Sequence, residues 1–396
     1  MANVVQPNPG AVDQRTRSDL ECFVCIRCPA AEILGRCGGG TLMAYEGQPL
    51  SAPVHPAVML LAAKAREGKL VVCAGAGLSV APGAGLPSGQ RLGELLNERL
   101  GARLEGYTAP ANPKDLLAVA DAGVNAMGGL LPLQHEVLTL AAFDRSTPNF
   151  GHRALALLLA EGAVSALLLW NWDTCVERSA PEGERVEVAL TIEDMAQLQM
   201  PNVAKIHGCA TRVETLLITS EQLRTPPLWT DAAFTAKLRG ATGVFVGVGD
   251  VADYAKTRIA QLATELPGLG VEAFIVAPGI VEKWDESVWA DLLPGLDAAR
   301  RVAKSADEFF DELARLWAID LVEAVEALTA DLTGVHADGA ARLVEALRNL
   351  RGPDVIALMP EFRSSRALLG MRRRKSPARG HIASSCGLIL IGTRFS

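Results

Sequence analysis

Three polar clusters stand where apolar runs of this chain stop: Gly75-Ala-Gly-Leu-Ser79, Asn171-Trp-Asp173 and His207-Gly208. Their residue types suit different parts of one reaction. Small residues let a phosphate or ribose lie against the backbone, where N–H groups bind anions. An amide and a carboxylate two residues apart can orient hydroxyls and water. A histidine can take up a proton near neutral pH. Each cluster also has a plainer reading. Gly75-Ala-Gly77 can be only a turn, Asn171 and Asp173 can be caps of a helix over Thr174–Ser179, and His207 can be a satisfied structural histidine.

The clusters gain weight from what precedes them. Leu70-Val-Val-Cys-Ala74, Val164-Ser-Ala-Leu-Leu-Leu169 and Val203-Ala-Lys-Ile206 read as buried strands. In an open parallel sheet the carboxyl ends of strands line the ligand crevice, so three polar strand ends are expected to converge there. Further strands are expected at Thr215–Thr219, Val244–Val248, Ala273–Ala277 and Arg301–Ala303. Helices are expected at Ala57–Arg66, from the N-cap Ser88 with Leu92, Leu95, Leu96 and Leu100 on one face, and at Ala154–Ala160. Others are expected over 231–239, 252–265, 306–317, 319–332 and 337–350. The alternation predicts an α/β fold: a doubly wound, mostly parallel Rossmann-like sheet with a small helical insert at about 104–150 and C-terminal helices.

Two familiar nucleotide motifs are excluded. No Gly-x-x-x-x-Gly-Lys-Ser/Thr occurs, and five residues after Gly75 stands Val80 rather than glycine. The glycine run also continues through Ala81-Pro-Gly-Ala-Gly-Leu-Pro87, and is not expected to open a helix. Hydride transfer is therefore disfavoured.

Composition narrows the partners. The 396 residues carry a net charge of −7, which gives no footprint for nucleic acid. No apolar stretch is long enough to span a membrane, and a cytoplasmic protein is expected. Cys73, Cys175 and Cys209 fall in core segments, as reduced thiols do. Cys22, Cys25, Cys28 and Cys37 could supply four thiolates to zinc, but their spacing matches no recognised knuckle, and unligated cysteines are the alternative. No metal is assigned to the crevice.

The order Gly75-Ala-Gly-Leu-Ser79 with Gly85-Leu-Pro87, then Asn171-Trp-Asp173, then Lys205-Ile-His-Gly208, resembles the sirtuin superfamily, and more closely the SIR2-like domains of bacterial anti-phage defence. Leu86-Pro-Ser-Gly89, His152-Arg-Ala-Leu-Ala156, the run Trp170–Arg178 and Val244-Phe-Val-Gly-Val-Gly-Asp250 extend the resemblance over about 57–315. It implies NAD+ as substrate. Gly75, Ala76, Gly77 and Ser79 would contact the phosphates and neighbouring ribose, with Pro87 also at the cofactor. Asn171 would hold the nicotinamide ribose or a water, Asp173 the carboxamide, and His207 would be the general base; Gly247 and Gly249 would admit the adenosine portion.

Two departures bear on the reaction. The zinc module of protein-deacylating sirtuins is missing, since only Cys386 follows Cys209, and their Phe-Gly-Glu stretch has no counterpart after His207. Trp170 also stands where many relatives have Thr or Gln. The resemblance thus implies an NAD+ hydrolase giving ADP-ribose and nicotinamide, a defence effector that depletes NAD+. The alternatives are an NAD-dependent deacylase and a non-catalytic NAD+ or ADP-ribose sensor. Regulation by homo-oligomerisation, a ligand or an activating partner is expected, because unchecked NAD+ loss would harm the host. The expected organisation is an irregular extension (1–55), the SIR2-like domain (56–318), C-terminal helices (319–370) and a basic tail (371–396) holding Arg372, Arg373, Arg374, Lys375, Arg379 and Arg394.

Overall fold

The computed structural model describes residues 45–181, 186–197, 203–249, 253–265, 270–330 and 335–357. The four N-terminal cysteines, Asp250 and the basic tail lie outside them.

Among the described residues, seven strands form one parallel sheet in the order β3-β4-β2-β1-β5-β6-β7. They are β1 (Leu70–Ala74), β2 (Ala166–Leu169), β3 (Val188–Ala189), β4 (Val203–Lys205), β5 (Thr242–Val246), β6 (Glu272–Val276) and β7 (Arg301–Val302). The chain runs outward from β1 through β2 and then crosses back to β5 on the other side of β1. The switch point therefore lies at the carboxyl ends of β1 and β5.

Burial on both faces explains the unbroken apolar strands. Leu70, Val72 and Ala74 enter one core layer with α1 (Pro56–Arg66), α6 (Phe150–Ala160) and α13 (Ala306–Thr329). Val71 and Cys73 enter the opposite layer, with Phe234 and Leu238 of α10 (Leu228–Leu238) and Ile259 of α11 (Asp253–Ala263). Alternate side chains of one strand thus serve two helical layers, which is the doubly wound arrangement.

The insert expected at about 104–150 holds α4 (Leu116–Met127) and α5 (Leu130–Leu138), and these share with the preceding α3 (Gly89–Arg103) one core around Leu92, Leu96, Val119 and Leu133. Ser88 caps α3 by accepting the Arg91 N–H. Short helices α2 (Gly77–Val80), α7 (Cys175–Arg178), α8 (Ile192–Gln197), α9 (Ser220–Arg224) and α12 (Val288–Leu292) join the elements, and α14 (Val335–Arg348) packs near the end of α13.

The structure corrects four expectations. Thr215–Thr219 is not a strand: a 3₁₀ turn covers Val213–Thr215, and Ile218 packs into the insert's core instead of pairing. Helices 306–317 and 319–332 are one helix, because nothing between them breaks the backbone ladder. The helix at Thr174–Ser179 shrinks to Cys175–Arg178. The glycine run does open a helix, though α2 is a single turn. The two-residue strand β3 had no sequence signal.

Candidate active site

The glycines at the switch point serve a backbone crossing. A Cβ on Gly77 would lie 2.6 Å from the Gly247 Cα, and one on Gly75 would lie 2.8 Å from the Gly247 carbonyl oxygen. Gly77 N–H donates to Gly247 O at 2.9 Å and Gly75 N–H to Val246 O at 3.0 Å. Gly247 itself sits at φ +61°. The β1 and β5 loops therefore form one continuous floor, with those two amides already committed to it. Ala76 and Gly77 face solvent, Pro87 is half-buried, and Gly249 is exposed with open space around it among the described residues.

Ser79 follows on α2 and is 2% exposed. Its hydroxyl donates to Asp173 Oδ2 at 2.8 Å and accepts from Asn171 Nδ2 at 2.8 Å. His152 Nε2 lies 3.1 Å from the same oxygen. The tautomer follows from the other ring nitrogen: His152 Nδ1 accepts the Asn149 N–H, so Nε2 carries the proton and donates to Ser79. One donation and two acceptances exhaust the hydroxyl. Ser79 is accordingly a hub that fixes its neighbours, with no bond left for a phosphate. Nor is it an activated nucleophile, because the adjacent imidazole nitrogen is already protonated.

Local sequence builds this hub. Asn149 caps α6 in a reciprocal box with His152 and donates from Nδ2 to Leu78 O at 2.7 Å, tying α6 to α2. Asp173 Oδ1 accepts the Cys175 N–H at 3.0 Å and so starts α7. Capping and site roles are thus one role for Asp173. Burial favours its neutral form, but His152, Lys205, the Cys175 N–H and the Ser79 hydroxyl together hold the carboxyl below its ordinary range. Burial pushes His152 down to about 4, against the opposing pull of Asp173.

The ordered hub leaves one group over. Asn171 spends its NH₂ on Ser79, and its Oδ1 is buried without a hydrogen-bond partner among the described residues. A buried acceptor without a donor is costly, and a hydroxyl or water placed against it would satisfy it.

His207 stands beyond the end of β4, its ring edge-on to Trp170 with centroids 6.3 Å apart. The residue is partly exposed as a whole, yet its Nε2 is enclosed, and burial pushes the imidazole down to about 3. It is neutral at physiological pH, which is the form a base needs, but far from the near-neutral titration expected of it. Trp170 packs in turn on Phe234 with centroids 5.9 Å apart.

Two residues of the cluster were not singled out for chemistry in the sequence. His152 was readable as the fourth residue of an Asn-x-x-His cap. Lys205, fully buried at the end of β4, donates to the Asp173 carbonyl and to Glu177 Oε1. Donor atoms of His152, Asp173 and Cys175 lie within 4.8 Å of one another, a spacing a metal could bridge. Each is instead engaged by hydrogen bonds, and burial, then Asp173, pushes Cys175 up to about 12, so it stays a thiol. The donor set suits a hydrogen-bonded network better than a cation.

No family model matches the chain, and no curated protein does. Among the solved structures that match are three of Sir2 proteins, the family that the motif order resembles. One comes from work on the mechanism and regulation of Sir2 enzymes, 16% identical over 68% of this chain and 100% of that one, with a TM-score of 0.38. Two are mutants of Sir2 homologues, one with ADP-ribose and one with 2'-O-acetyl ADP-ribose. Each is 18% identical over 69% of this chain and 99% of its own, with TM-scores of 0.37 and 0.36. At that identity and superposition, the likeness says nothing of this chain's ligand or chemistry. Among the described residues, no helix is long and apolar enough to cross a membrane.

Proposed function

We propose that the chain is a SIR2-like NAD+ hydrolase that splits the nicotinamide–ribose bond to give nicotinamide and ADP-ribose. The observation that carries this reading is the Asn171 carbonyl: a buried acceptor, oriented by the Ser79 hub, at a strand end beside the sheet's switch point. A ribose hydroxyl or a water would satisfy it.

Ala76, Gly77 and Gly249 offer open surface on the crevice floor for the phosphates and adenosine. Gly75 and Gly247 hold that floor together, Pro87 borders it, and Ser79 works through Asn171. Asp173 orients the hub, and a carboxamide would have to use one of its remaining lone pairs. As the C–N bond breaks, the bonding electrons leave with nicotinamide and the ribose carbon gains oxocarbenium character. Water supplies the oxygen that replaces the bond, and neutral His207 takes its proton. A base held near pKa 3 is weak, so the proton moves only as the water bonds to the cationic ribose carbon, which makes that water strongly acidic. Positioning supplies the remainder.

Hydrolysis is preferred to deacylation because the sequence has neither the zinc module nor the Phe-Gly-Glu stretch. An anti-phage role, control by homo-oligomerisation, a ligand or a partner protein, and a cytoplasmic location belong to the same proposal. The test is NAD+ turnover with and without an acetyl-lysine peptide, in the presence of candidate activators. Peptide-independent release of nicotinamide and ADP-ribose is expected. Turnover that strictly requires the peptide would establish the deacylase instead, and binding without turnover would establish the sensor.

A further inference from the structure

Lys205 is 0% exposed and lies opposite Leu169 in the β2–β4 register. Its ammonium donates to the Asp173 carbonyl, to Glu177 Oε1 at 2.7 Å and to Cys209 Sγ at 3.4 Å. One side chain therefore joins the Asn171–Asp173 segment, the first turn of α7 and the loop after His207. The other Glu177 oxygen, Oε2, is buried without a hydrogen-bond partner among the described residues. The carboxylate is thus held in place chiefly through Lys205.

We propose that Lys205, braced by Glu177, is a positioning residue that fixes the Asn171–Asp173 segment to the end of β4 and so sets where the Asn171 carbonyl meets its ligand. Stability alone is a poor reason for such a pair. Withdrawing two charges from water costs about as much as their attraction returns, and well-packed neutral replacements are commonly tolerated. What the pair supplies is geometry. The Asp173 carbonyl lies between the carboxylate that grips Ser79 and the amide that starts α7, so pinning it fixes the chain that orients Asn171. Lys205 also stands two residues before His207, so one anchor sets the spacing between two strand ends.

This inference rests on the proposed nucleotide site, and its test separates the two. Lys205→Met alone strands the Glu177 charge, so the pair Lys205→Met/Glu177→Gln is the working variant, with melting curves confirming its fold. ADP-ribose binding by calorimetry and NAD+ turnover are measured for wild type, this variant, Asn171→Ala and their combination. Expected is at least a tenfold loss of kcat in the folded neutral variant, with a smaller loss for Glu177→Gln, which keeps the bond to the Asp173 carbonyl. Adding the neutral pair to Asn171→Ala should lower kcat no further, because both act through one group. Wild-type kcat in the folded neutral variant, or losses that multiply with Asn171→Ala, would overturn the positioning role while leaving the nucleotide site standing. A wild-type chain that neither binds ADP-ribose nor cleaves NAD+ would overturn both.

Discussion

At the scale of single residues, the site is organised around a saturated hydroxyl. Ser79 holds Asn171, Asp173 and His152 at once, so its removal strands several buried polar groups. Ser79→Ala is expected to cost about 1–3 kcal/mol in stability, read by urea denaturation, and to lower kcat as Asn171 loses its orientation. Acid should act through the two buried imidazoles. His152 and His207 are held at about 4 and about 3 against an ordinary 6.5, so between those values the unfolded chain binds more protons. Their stabilisation is complete above pH 6.5 and is lost as pH falls toward 4 for His152 and toward 3 for His207. For His152 alone the loss is on the order of 3 kcal/mol, at about 1.4 kcal/mol per pH unit. Melting temperatures from pH 7 to 4.5 should fall steeply, and His152→Gln should flatten the fall; an unchanged slope would contradict the assignment.

At the scale of elements, two loops meet where the sheet switches direction, and their glycines differ in purpose. Gly77→Ala pushes a methyl into the Gly247 backbone, so about 1–3 kcal/mol of stability and much of the nucleotide affinity should go together. Gly85→Ala meets open space and suffers only from φ +55°, about 1 kcal/mol, with binding intact. Gly249→Ala should leave melting unchanged and weaken ADP-ribose binding if the adenosine portion lies there; calorimetry on the three variants checks the pattern. Much of this was legible in the sequence. The buried strands read directly because two-sided burial leaves unbroken apolar runs, as in Leu70–Ala74 and Leu167–Leu169. Leu216-Leu-Ile218 looks the same locally but is apolar because it lies beneath the insert, where Gln134 Nε2 donates to Leu216 O. Composition cannot tell those two partners apart. The identity of Asn171 and Asp173 was legible; that Ser79 spends all its bonds on them was not, since saturation depends on three-dimensional distance.

At the scale of the molecule, α13 gathers both flanks of the chain. Arg315 and Asp311 are paired at 2.9 Å with side chains 1% exposed. Arg315 also donates to the carbonyls of Pro49 and Ala52, and Asp311 accepts the Gln48 N–H. Near the helix start, Asp307 accepts the Gly151 N–H, next to His152 of the hub. Arg315→Ala leaves a buried carboxylate and two carbonyls short, and should cost about 3–5 kcal/mol in urea denaturation. NAD+ cleavage, as proposed, requires the Asn171 carbonyl to receive a ribose hydroxyl or a water. The direct measurement is nicotinamide release from NAD+ by wild type and by folded Asn171→Ala at saturating substrate. Steady release by the wild type and a fall of roughly 10²–10³-fold in the variant are expected, as when a positioned transition-state contact is removed. Equal rates in the two proteins, or no release by the wild type under any activating condition, would contradict it.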